Sequence, residues 1–161
     1  MTENQLKLWQ ALNDYQLDDP EAEFSFTDRL ARENGWDFDY ALRATDEYKK
    51  FIFLIAFSGH PCTPSDEVDQ VWHLHLLYTQ SYWKEMCDEI LGMEIHHGPT
   101  KGISQRNDFK DYYAKTKSSY KQFFKEEPPK DIWPDANIRF KYTNFRRVNL
   151  HLNKISKRWK F

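Results

Sequence analysis

Asp69, His73, His75, Cys87, His96 and His97 fall within one short stretch of a 161-residue chain that has six histidines in all. Imidazole, thiolate and carboxylate are the side chains that bind transition metals or move protons near neutral pH. No other segment offers such a concentration. If residues 66–91 are helical, geometry sorts these groups. Asp69 and His73 are four apart and share a face. His75 lies about 200° round from His73 at roughly 100° per residue, on the side of Trp72 and Thr79. One helix therefore cannot aim both histidines at one ion. The economical site takes Asp69 and His73 from the helix and one imidazole from the His96-His97 turn. Cys87 reads first as helix-core filler, and adds a thiolate if the next helix folds back.

Such a set suits zinc, or iron or copper with open positions. If the site is catalytic, a water activated by the metal is the simplest nucleophile, giving a hydrolase-like reaction with His75 as proton carrier. Asp69 has a second reading, as the carboxylate that accepts the distal N–H of His73 and sets its tautomer. A third reading is architectural: a buried Asp–His pair bridging two helices beside Trp72. A fourth is a pH- or ligand-responsive contact. The spacing lacks the rigid form of HExxH or paired CxxC motifs, and no Ser/His/Asp triad, Walker loop or GxGxxG is present. His60 reads as a surface turn residue and Cys62 as a small buried filler.

The elements that must position these residues read mostly as helix. Leu6, Trp9 and Leu12 recur at helical spacing and stop near Asp18-Asp19-Pro20. A short helix is predicted from a Thr27 cap to Asn34-Gly35. A third starts near Asp37 or Asp39, with Tyr40, Ala44, Tyr48, Phe51 and Ile55 on one stripe. Thr63-Pro64-Ser65-Asp66 is a helix start with an N-cap oxygen, an early proline and acids in the first turn. Thr79 or Ser81 caps a continuation through Cys87 to Leu91, stopped by Gly92. Residues 93–106 read as loop, and Asn107 as the cap of an aromatic helix ending at Glu127-Pro128-Pro129. The alternating IRFKYTNF (138–145) reads as a short strand or extended arm. Phe145, Val148, Leu152, Ile155 and Trp159 form the stripe of a final basic amphipathic helix. The expected fold is all-α: one domain over 1–161, a bundle of five to seven helices. Its core spans about 24–136, the histidine helix is central, and a basic C-terminal arm and helix cover about 137–161.

Aromatic residues are 17% of the chain, which supplies a large core despite 30% charged residues. Two cysteines make no disulfide framework and fit a reducing compartment. The opening MTENQLKLWQALNDY has no basic run followed by an apolar one, so no secretory signal is expected. The longest apolar run, FIFLIAF, is far short of the roughly 20 residues of a membrane span. A cytoplasmic location follows as an expectation.

Net charge is −2, but eight of the 23 basic residues lie in 137–161, which holds no acid. The rest of the chain is therefore strongly acidic. Arg146, Arg147, Lys154, Lys157 and Arg158 flank the last stripe and are the candidate anion-binding residues. The plain reading is that this helix docks on the acidic body. The alternatives are a phosphate backbone, with Phe140, Tyr142 or Trp159 stacking on bases, or an anionic membrane surface. The slightly acidic total weakens the nucleic-acid reading. An unidentified small molecule or protein completes the possible partners. The contrasting function is thus a non-catalytic helical interaction module whose histidines form a structural polar network.

The runs WDFDYALRATDEYKKFIFL, TPSDEVDQVWHLHLLYTQSYW, IHHGPTKG and YYAKTKSSYKQFF, with PPKDIWP following, cover most of residues 24–140. They resemble bacterial members of the glycine-rich domain-containing protein-like family. The resemblance implies a largely helical fold with little assigned biochemistry. It implies that Asp69, Trp72, His73, His75, Tyr82, Cys87, His97 and Pro99 belong to a shared design, with Trp72, Tyr82 and Pro99 lining the pocket. The chain departs in lacking the glycine-rich tail and any membrane segment, and in reading Ile103-Ser104 where relatives carry a second glycine.

Overall fold

The computed structural model describes residues 1–98 and 106–141. Seven helices and no strand occur among the described residues, so the fold is all-α. Helix α1 spans Glu3–Asp14, α2 Phe26–Asn34, α3 Phe38–Phe57 and α4 Asp66–Leu77. A π-helix follows over Gln80–Leu91, then α5 over Arg106–Phe124 and a single turn, α6, over Ala136–Arg139. The final amphipathic helix, with Arg146, Arg147, Lys154, Lys157 and Arg158, lies outside the described residues, as does Pro99.

Local chemistry sets most boundaries. Thr2 and Gln5 close a reciprocal capping box at α1, and Ser25 and Asp28 close another at α2. Gly35 ends α2 at φ 67°, a left-handed conformation that glycine adopts without steric cost. Asp37 caps α3 through the Tyr40 amide. Two caps differ from expectation. Ser25, not Thr27, starts α2, because Thr27 donates its amide and hydroxyl to Asp18 at 2.7 and 2.8 Å. Ser65, not Thr63, starts α4: the Ser65 hydroxyl accepts from the Val68 amide, while Thr63 donates its own amide to Thr116 Oγ1 on α5. The alternating 138–145 segment forms no strand in its described part: Ile138 and Arg139 belong to α6.

The centre of the bundle is α3 rather than the histidine helix. It packs against α1, α2, α4 and α5, and Ala41, Ala44, Tyr48, Phe51, Ile52 and Leu54 are wholly buried. Each large apolar side chain among them contributes roughly 1.5–3 kcal/mol by leaving water. A carboxylate also sits in this core. Glu47 accepts from Trp133 Nε1, Tyr120 Oη and Lys50 Nζ at 2.8–3.0 Å, so both oxygens are satisfied. This group ties α3 to α5 and to the segment after it.

The segment after α4 departs most from expectation. Its wider winding is a rare backbone form, usually confined to one turn and concentrated at functional sites. Thr79 makes no side-chain cap bond, and the Gly92 amide reaches back five residues to the Cys87 carbonyl. The wider turn puts Tyr82, Met86 and Cys87 on the buried side.

Candidate metal centre

Asp69 in the first turn of α4 and His73 one turn further on share a face, as their spacing requires. His97 arrives from the loop after the π-helix. A short polar chain holds that loop. Trp72 Nε1–H donates to Tyr82 Oη at 2.9 Å, and Tyr82 Oη donates to the Ile95 carbonyl. Ile95 is itself buried, which fixes the chain two residues before His97. The His97 ring then stands edge-on to Trp72, with centroids 4.3 Å apart.

The result is a compact group. His97 Nε2 lies 2.8 Å from Asp69 Oδ1, and His73 Nδ1 lies 3.9 Å from Asp69 Oδ2. The two imidazole centroids are 4.5 Å apart. One ligand atom from each of the three residues lies within 4.8 Å of the others. Two ligands each about 2.1 Å from a tetrahedral ion stand about 3.4 Å apart, so this spacing closes on an ion with small side-chain shifts. The His73 side chain is 50% exposed against 18–20% for His97 and Asp69. The group is walled by Trp72 on one side and open to solvent at His73. Two imidazoles and a carboxylate with an open side suit zinc or iron.

The other predicted ligands lie elsewhere. His96 is exposed, pairs with Glu94 and rests against Trp83. Cys87 is buried on the inner face of the π-helix with Tyr82 and Ile95 as neighbours. Burial pushes its thiol pKa up, which disfavours a thiolate. His75, the expected proton carrier, is also removed from the group. Its Nδ1 lies 2.9 Å from Tyr48 Oη and its Nε2 2.8 Å from Ser81 Oγ. Burial pushes its pKa down to about 3, so it stays neutral.

That His75 network is what sequence reasoning missed. Ser81 also contacts Tyr15 Oη at 2.5 Å, and Tyr15 donates to Glu85 at 2.9 Å. The chain Tyr48–His75–Ser81–Tyr15–Glu85 thus joins α3, α4, the π-helix and the end of α1. The helical face of His75 is readable from spacing. Its partners are not: Tyr48 lies 27 residues before it, and Tyr15 meets Ser81 across 66 residues. His60, expected at the surface, makes a part-buried bond from Nε2 to Ser119 Oγ at 2.8 Å.

No helix among the described residues is long and apolar enough to cross a membrane. No curated protein and no solved structure matches the chain. A family model described as UCP032817-like matches residues 26–128, well over half of the sequence and including α2 to α5. This finding overturns the resemblance to the glycine-rich domain-containing protein-like family, which nothing in the comparisons indicates. The grouping of Asp69, His73 and His97 therefore stands on geometry alone. The chain belongs to the UCP032817-like family, an uncharacterised family of which this is a helical member.

Proposed function

We propose that the protein is a metal-binding helical domain in which Asp69, His73 and His97 hold one divalent transition ion, zinc or iron. The observation that carries this reading is the approach of the three ligand atoms to within 4.8 Å of one another. Two of these residues come from one helix and the third from a loop that Tyr82 pins in place. An ion there supplies Lewis-acid polarisation and activation of water, so a hydrolase-like reaction is the simplest enzymatic use. Trp72 backs His97, and the solvent-facing side at His73 is where a substrate would approach.

The test is elemental analysis of untagged protein purified without chelators, followed by titration of Zn²⁺ and Fe²⁺ into wild type and His97→Ala. Stoichiometric metal that is lost in the variant is the expected result. Metal-free wild type that also fails to take up either ion rejects the reading.

One observation favours a second reading. The 2.8 Å contact between His97 and Asp69 already joins the loop to α4 without an ion. On that reading the histidines are architecture and the domain is an interaction module. His97→Ala would then lower the melting temperature equally with and without metal.

A further inference from the structure

A cleft of about 640 Å³ opens between the loop after α1 and the junction of α4 with the π-helix. Asp18, Asp19, Phe24, Tyr78, Ser81 and Glu85 line it, and no lysine or arginine does. It shares no residue with the Asp69–His73–His97 group. Its volume falls within the range of small-molecule sites, about 300–1,000 Å³.

The charge on its wall is one-sided. The loop over residues 15–25 carries Asp18, Asp19, Glu21 and Glu23 and no basic residue. Thr27 holds Asp18 in place through both of its oxygens. Tyr15 holds Glu85 through Oε2, and the ordered hydroxyl of Ser81 sits beside them. Neither Asp19 nor Glu85 forms an ion pair among the described residues. Asp19 and Glu85 are thus held by hydrogen bonds alone, while Asp18 also feels the charge of Lys49.

The apolar part of the wall is aromatic. Phe24 is 45% exposed and Tyr78 half-buried. Both rings already attract the protein's own cations. The Arg32 guanidinium lies 4.4 Å from the Phe24 centroid, and that of Arg29 lies 5.7 Å from the Tyr78 centroid. A cation gains from a ring face and from a carboxylate together, and more so where water is partly excluded.

From this cleft we infer a second binding site, for a small organic cation carrying an ammonium group beside a short apolar body. The ammonium sits among Asp19, Glu85 and Ser81, and the apolar part lies against Phe24 and Tyr78.

Full-length protein is titrated with two matched pairs, choline against 3,3-dimethylbutan-1-ol and phenethylamine against 2-phenylethanol. Binding is followed by calorimetry and by amide chemical shifts. The expected result is saturable binding of both cations about tenfold tighter than their neutral isosteres, with shifts centred on Phe24, Tyr78 and Ser81. The variant Asp19→Asn with Glu85→Gln removes charge while leaving Tyr15 an acceptor. It loses about tenfold for the cations and nothing for the neutral compounds. If that variant fails to fold, Asp19→Asn alone, at an exposed position, carries the comparison with a loss of roughly threefold. Equal affinity for cation and isostere overturns the inference. So do shifts centred elsewhere, an unchanged variant, or no saturation by roughly 10 mM.

Discussion

Tyr82 accepts a hydrogen bond from Trp72 and donates one to the Ile95 carbonyl, so one phenol couples α4 to the loop that carries His97. Removing that hydroxyl leaves a buried indole N–H and a buried carbonyl without partners. Each orphaned group costs about 1–3 kcal/mol. Tyr82→Phe is therefore expected to lower stability by about 2–4 kcal/mol, read from urea unfolding. If an ion is held as proposed, the loosened loop also weakens its binding by 10- to 100-fold, roughly the effect of losing an outer-shell partner. Unchanged stability would show that the chain does not anchor the loop.

The metal reading separates Asp69, His73 and His97 from the remaining histidines. His73→Ala removes an exposed side chain whose only polar contact among the described residues is the 3.9 Å approach to Asp69. It is expected to leave stability within about 0.5 kcal/mol while abolishing stoichiometric zinc or iron. His96→Ala, at a side chain outside the group, is expected to change neither. Metal loss in His96→Ala but not in His73→Ala would place the ion elsewhere. Calorimetric titration of the apo-protein with each ion makes the comparison.

The sequence pattern carried much of this arrangement, and the failures have one physical origin. Gly35, Asp37 and Gly92 mark helix ends through their own backbone and side-chain chemistry, so their positions were legible. The shared face of Asp69 and His73, and the exclusion of His75 from it, follow from helical spacing alone. Cys87 turns onto the buried side with Tyr82 and Met86 in the wider winding over 80–91. Nothing local in QSYWKEMCDEIL announces the wider winding. Tertiary bonds act on that segment at Ser81, Tyr82 and Glu85, and those partners lie outside it. Thr27 and Thr63 show the same limit. Each has a capping side chain, but the Thr27 hydroxyl is engaged by Asp18, and Thr63 is held by its amide on the distant Thr116.

Acid sensitivity should come from His75. Its pKa falls from the ordinary histidine value of 6.5 to about 3 in the fold, because burial disfavours the imidazolium. A depressed folded pKa means the unfolded chain binds the proton more tightly. The corresponding stability is fully present above pH 6.5 and is lost as pH falls from there towards 3. The slope is at most about 1.4 kcal/mol per pH unit, so roughly 2 kcal/mol is lost by about pH 5. Denaturant unfolding at a series of pH values measures it, and imidazole ¹⁵N shifts report the protonation state directly. An imidazole that titrates near pH 6.5 with the fold intact would show that burial does not hold it neutral.

The Glu47 carboxylate gives the most direct test of the core. It is 5% exposed and bonds Trp133, Tyr120 and Lys50 from three positions. Glu47→Ala strands the indole N–H inside the bundle, while Lys50 and Tyr120 keep Glu126 as a partner. A loss of about 1–3 kcal/mol is expected from the stranded indole N–H, with the segment after α5 loosening first. Glu47→Gln retains an acceptor for the Trp133 indole but turns its amide N–H2 toward Tyr120 and Lys50, which keep Glu126, so its cost should be about 1–2 kcal/mol. Hydrogen exchange at the Trp133 indole separates the two variants: fast exchange in the alanine variant and slow exchange in the glutamine variant. If both exchange slowly and unfold like wild type, the carboxylate is a bystander, and aromatic packing alone holds α5 to α3.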